Sequence, residues 1–92
     1  MTQEVTLLAP GMTLRVRTRN SVYTVVPRGA GDGIVWGHAE YCPGPTEVAG
    51  IAGTDGHGFG REEFLAPGMR LTFLVGGRRV ATSRIESVEA LT

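Results

Sequence analysis

The sequence has a single cysteine, Cys42, has no lysine, and contains no long hydrophobic run. One cysteine excludes a disulfide within the chain and fits a reducing compartment. Without roughly 18 consecutive apolar residues, a membrane-spanning helix is not expected. The first residues also lack the basic region of a secretory signal. We therefore expect a cytoplasmic protein without a membrane partner.

The charges balance, and they come from few residue types. The chain contains nine basic residues, all of them arginine, and nine acidic residues, so that the formal net charge is zero. A general polyanion binder normally carries a positive excess, so this balance argues against one. Glycine occurs 14 times and asparagine once, which favours GC-rich coding over a chemical need for guanidinium groups as the reason for the arginines.

Five residues occur twice, as Leu-Ala-Pro-Gly-Met at positions 8–12 and 65–69. When the two copies are aligned, Leu14 corresponds to Leu71 and Val16 corresponds to Phe73. Proline followed by glycine is typical of a type II turn, and the alternation of apolar and polar residues after it indicates a half-buried strand. The repeat therefore predicts two equivalent turn-and-strand units.

A second strand follows each of these strands after a short turn. Gly76-Gly77 is a strong two-residue hairpin signal, and Arg19-Asn20 is its counterpart, because asparagine tolerates the left-handed conformation. In the first hairpin this predicts the pairs Val16–Tyr23 and Leu14–Val25. In the second it predicts Phe73–Val80 and Leu71–Thr82. The residues predicted to face the core are Leu14, Val16, Tyr23, Val25, Leu71, Phe73, Val80 and Thr82.

The middle of the chain shows weaker signals. We predict a flexible connection over 28–33, strands over 33–38 and 46–52, and a last strand over 85–91, whereas 61–65 fits a helical turn or a strand. Six to seven short strands with glycine-rich turns predict an all-β fold. We expect residues 1–92 to form one small barrel, SH3-like or a pseudo-duplicated hairpin barrel, with the repeat at 8–26 and 65–83.

Metal-binding and nucleophilic residue types gather in the middle third: His38, Glu40, Cys42, Asp55 and His57. Their spacing lacks the two close Cys/His pairs of structural zinc sites, so a metal site in the His38, Cys42 and His57 region is only an alternative. Cys42 lies in a proline-rich loop, not at a helix N-terminus that would activate its thiol. We expect no catalytic residue, no cofactor and no enzyme.

The sequence favours an interaction module or a subunit of a bacterial assembly, with an unknown protein partner or self-association. Recognition is expected in the unduplicated middle and on the outward arginines, because loops and interface hot spots use aromatic and arginine side chains. For Trp36 itself a core position is favoured, with the exposed anchor role kept open. Nucleic-acid binding through the arginines is an alternative that zero net charge disfavours. The candidate binding residues are Trp36, Tyr41, Phe59, Arg15, Arg17 and Arg79.

Overall fold

A computed structural model describes residues 6–38, 42–54, 60–61 and 64–91. Their secondary structure consists of nine strands: β1 (Thr6–Leu7), β2 (Leu14–Thr18), β3 (Val22–Gly29), β4 (Asp32–Trp36), β5 (Thr46–Thr54), β6 (Gly60–Arg61), β7 (Phe64–Leu65), β8 (Arg70–Val75) and β9 (Arg78–Ala90). Within these ranges no helix has the length and apolar character that crossing a membrane requires.

Six strands form one antiparallel sheet that closes into a ring. Along the chain β2, β3, β4, β5, β8 and β9 each pair with the next, and β9 pairs back with β2. The short β6 extends β5, and β1 pairs with β7 beside the ring. The all-β prediction is therefore confirmed, with the sheet arranged as a six-strand ring.

Both copies of the repeated segment form the predicted turn. Gly11 and Gly68 have φ angles of 87° and 92°, a backbone region that side chains with a Cβ rarely adopt. In each turn the methionine N–H donates to the carbonyl of the alanine three residues earlier, at 3.4 Å in the first copy and 3.2 Å in the second. Proline and glycine thus occupy the two central positions that a type II turn requires.

The two hairpins have the predicted pairing, with one local correction in each. Val16 pairs with Tyr23, and Phe73 pairs with Val80. Asn20 does not use the left-handed conformation that asparagine tolerates: in the described ranges Ala30 is the one non-glycine residue with positive φ. The first turn is instead stabilised by Thr18, whose N–H donates to the Ser21 carbonyl at 2.8 Å.

In the second hairpin the predicted pair Leu71–Thr82 falls at a register shift. The two residues are joined there through a side chain, since the Leu71 N–H donates to Thr82 Oγ1 at 3.1 Å. That hydroxyl in turn donates to the Ser83 carbonyl at 2.7 Å. Thr82 is therefore buried without losing hydrogen bonds, as a buried polar group requires.

The core fills the inside of the ring, and its membership matches the predicted alternation. All eight residues predicted to face inward are buried. Among the described residues Phe73 is the largest fully buried side chain, and its ring meets that of Tyr23 edge to face at a centroid distance of 6.4 Å. Val35, Ile51 and Cys42 from the middle of the chain also belong to this cluster.

The segment 28–33, predicted to be a flexible connection, is a tight turn between β3 and β4. Gly29 pairs with Asp32, so Ala30 and Gly31 alone form the loop, with φ angles of 54° and 82°. The Gly31 carbonyl also accepts a 2.8 Å hydrogen bond from Ile51 of β5. This contact with β5 holds the turn in a conformation that Ala30 by itself disfavours.

The strain at Ala30 generates a stability prediction. Ala30→Asn should raise the free energy of unfolding by roughly 0.5–1 kcal/mol, because asparagine tolerates positive φ better than alanine and Asn-Gly favours this two-residue turn. Ala30→Val should lower it, because a β-branched side chain opposes positive φ. Urea denaturation measures both, and an equal effect of the two substitutions would contradict the assigned turn.

Candidate functional site

The outer surface of β3 and β4 carries apolar side chains where the outside of a ring usually carries polar ones. Residues at alternate positions of both strands point away from the core and are at least partly exposed. We call this surface the Trp36 face; it consists of Val22, Thr24, Val26, Ile34 and Trp36.

Strand register places the Trp36 face directly beside two arginines of β2. Thr24 pairs with Trp36 on one side and with Arg15 on the other, so these three residues form one row across the sheet. Adjacent strands lie about 4.8 Å apart, which puts the Cα atoms of Trp36 and Arg15 about 10 Å apart. One row further along, Arg17 pairs with Val22.

The two arginines differ in their surroundings. The guanidinium of Arg15 lies 3.6 Å from the carboxylate of Glu89, with half of the arginine side chain exposed. Arg17 forms no ion pair with any described residue. An open depression of about 500 Å³ runs along this side of the sheet, lined by Arg15, Arg17, Ser87, Val88, Glu89 and Ala90. An exposed pair such as Arg15–Glu89 adds little stability, so these groups remain available to a partner.

The opposite border of the Trp36 face is acidic. Glu47 of β5 pairs in register with Ile34, and its carboxylate lies 3.2 Å from the guanidinium of Arg28. Asp32, the exposed first residue of β4, has no ion pair in the described chain. The face thus has one basic border and one acidic border.

The predicted binding residues divide into three groups. The structure places Trp36 with Arg15 and Arg17 on one continuous surface. Trp36 is only partly buried and lies outside the core cluster, so the core position that the sequence favoured for it is wrong. Arg79 is exposed in the hairpin of β8 and β9, where it pairs with Leu74. Tyr41 and Phe59 lie outside the described residues.

The aliphatic members of the Trp36 face were not identified from the sequence. Val22, Val26 and Ile34 had no assigned role there, although β3 carries a visible signal. Its residues 22–26, Val-Tyr-Thr-Val-Val, are apolar at positions of both faces. A strand whose outer face is exposed should alternate apolar and polar residues, so this departure marks the surface.

Of the candidate metal ligands and nucleophiles, the structure describes two. The backbones of His38 and Cys42 form a bridge, in which Cys42 N–H donates to the His38 carbonyl at 3.1 Å. Glu40, Asp55 and His57 lie outside the described residues. No group of three or more metal-binding side chains occurs among those that are described.

Cys42 is a core residue in the structure. Its side chain is fully buried. Burial raises the pKa of its thiol, an effect that a hydrogen bond with the His38 backbone partly offsets. Burial likewise raises the pKa of Tyr23, with a hydrogen bond to Ser21 acting in the opposite direction. A nucleophilic cysteine needs the reverse, an accessible thiol with a lowered pKa.

Comparison with protein-family models, curated proteins and solved structures finds no match to this chain.

The burial of Cys42 predicts an unreactive thiol. In the native protein at neutral pH, the thiol should react with a disulfide reagent such as DTNB about 100-fold or more slowly than in denaturant, because it must first be exposed by opening of the structure. Absorbance of the released thiolate measures both rates. Similar rates in the native and denatured states would contradict the buried position.

The raised pKa values of Cys42 and Tyr23 predict a loss of stability in alkali. The unfolded chain ionises these groups near their ordinary pKa values of 9.0 and 10.0, whereas the folded chain still holds them neutral. The free energy of unfolding should therefore be insensitive to these groups below about pH 8 and fall above pH 9. Tyr23→Phe should make that fall less steep, as urea titrations across this pH range can test. An unchanged slope would contradict the prediction.

Proposed function

We propose that the six-strand ring is a small β-barrel that serves as a protein-binding module, with the Trp36 face as its docking surface. The observation that carries the proposal is the apolar outer side of β3 and β4, bordered by Arg15 and Arg17. Contiguous apolar surface with a polar rim is typical of interaction sites. Tryptophan and arginine are also the residues most enriched among binding hot spots.

The scaffold supports this role through its rigidity. Every strand of the ring is paired on both sides, so the side chains of the Trp36 face are held on regular backbone rather than on a loop. Consecutive pairing of the strands supports the pseudo-duplicated hairpin arrangement as the barrel type. We place the module in the cytoplasm, where a lone thiol such as Cys42 stays reduced.

Trp36→Ala should remove partner binding while leaving the fold intact. Loss of a central tryptophan typically weakens binding by about 30-fold or more. Immobilised wild type and variant would be compared for the proteins they capture from extract of the native host, by quantitative mass spectrometry. Leu91→Ala is the matched control, because Leu91 is an exposed apolar residue outside the face.

The proposal requires that a defined set of proteins be retained by wild type and by Leu91→Ala and be lost by Trp36→Ala. Identical capture by all three proteins would overturn it. Short oligonucleotides at low salt provide a separate test of the nucleic-acid alternative. Binding that falls steeply with salt and weakens in Arg15→Ala and Arg17→Ala would support that alternative instead.

A further inference from the structure

Two exposed charges at the border of the Trp36 face have no ion-pair partner in the described chain: Arg17 and Asp32. By contrast, Arg15 forms an ion pair with Glu89, and Glu47 forms one with Arg28. A cation and an anion that lack a partner among the described residues can pair with opposite charges of another molecule.

The two charges lie at opposite corners of the face. Arg17 is beside Val22, at the start of β3, on the β2 side. Asp32 is beside Gly29, at the end of β3, on the β4 side. Gly29 is seven positions after Val22 along β3, a distance of about 23 Å.

Trp36 lies about midway between these corners. With the usual strand spacing and rise, its Cα is about 12 Å from that of Arg17 and about 14 Å from that of Asp32. A two-fold axis that exchanges the two corners, and that lies in the plane of the surface, therefore passes close to Trp36. This symmetry produces two equivalent contacts, each between Arg17 of one copy and Asp32 of the other. The two Trp36 indoles then lie against each other near the axis.

We infer that the Trp36 face binds a second copy of this chain, face to face, with Arg17 of each copy against Asp32 of the other. The inference rests on the proposed function and names its partner. Closed dimers use the same patch on both subunits, so the patch must complement itself. Here the corner of Arg15, Arg17 and Glu89 carries net charge +1, and the corner of Arg28, Asp32 and Glu47 carries net charge −1.

The size of the face predicts a weak dimer. Three strands and about 20 Å of strand length bury only a few hundred Å² per copy, below the roughly 800 Å² per partner of a standard stable interface. The association should therefore be reversible and depend on protein concentration. It should also weaken as salt rises, since the Arg17 and Asp32 contacts lie at the solvent-exposed rim.

Charge reversal at the two corners tests the pairing directly. Arg17→Asp places two acidic groups at each contact, and Asp32→Arg places two arginines there. Each variant alone should dimerise at least about tenfold more weakly than wild type, because like charges at an interface repel. An equimolar mixture should recover association, since each contact then joins one aspartate to one arginine. Sedimentation equilibrium measures all three samples.

Arg78→Asp is the matched control, because Arg78 is exposed in the turn region between β8 and β9, away from the face. It should sediment as wild type does, and Trp36→Ala should remain monomeric. Circular dichroism checks the fold of each variant. Recovery in the mixture is itself evidence of folding, because misfolded chains would not restore a specific contact.

A wild type that stays monomeric to about 1 mM overturns the inference, because even a weak interface of this class associates at that concentration. Charge-reversed variants that dimerise like wild type also overturn it. Neither result contradicts the proposed function if, in the extract experiment, Trp36→Ala still fails to retain host proteins that wild type captures. Conversely, a dimer with the predicted charge behaviour and no loss of captured proteins would limit the face to self-association.

Discussion

The pairing of β2 with β9 closes the ring, and the rest of the structure depends on that closure. It joins residues 14–18 to residues 85–90 and leaves the central sheet without an open end. The pairing of β9 with β2 and that of β9 with β8 each contain a register shift, which lets β9 pair with both strands. Because closure curves the sheet around one interior, Leu14, Phe73 and Val35 can pack against one another from different strands.

The middle of the chain breaks the equivalence of the two repeated units. The strands that precede the repeated turns, β1 and β7, pair with each other, and β2 of the first unit pairs with β9 of the second. The equivalent contact between β3 and β8 is absent, because β4 and β5 lie between them. These two strands widen the ring, and β4 contributes Trp36 and Ile34 to its outer surface. The residues without a repeated counterpart thus supply two of the five members of the candidate docking face.

Local sequence signals predicted the hairpins well, because turn chemistry and side-chain alternation both act within a few residues. The second unit was predicted from two local signals, which are Pro67-Gly68 and the Gly76-Gly77 pair. The turn at Ala30 was missed, because alanine disfavours positive φ and the contact between Gly31 and Ile51 that compensates comes from a distant strand. The side of the sheet that Trp36 occupies was also predicted wrongly in favour of the core, since tryptophan suits both a core and an exposed hot spot. The pairing between β2 and β9 has no local signal in the sequence, because the paired residues are far apart along the chain.

Ring closure has a consequence for the way in which the chain folds during its synthesis. The hairpins of β2 with β3 and of β8 with β9 need only neighbouring residues, but the contact between Leu14 and Ala90 spans most of the chain. Non-local pairing of this kind slows folding, because a long loop must close before the contact forms. Until residue 90 has left the ribosome, β2 lacks its second neighbour and Leu14 and Val16 lack a complete interior. The nascent chain therefore exposes a strand edge and core side chains until β9 has been synthesised.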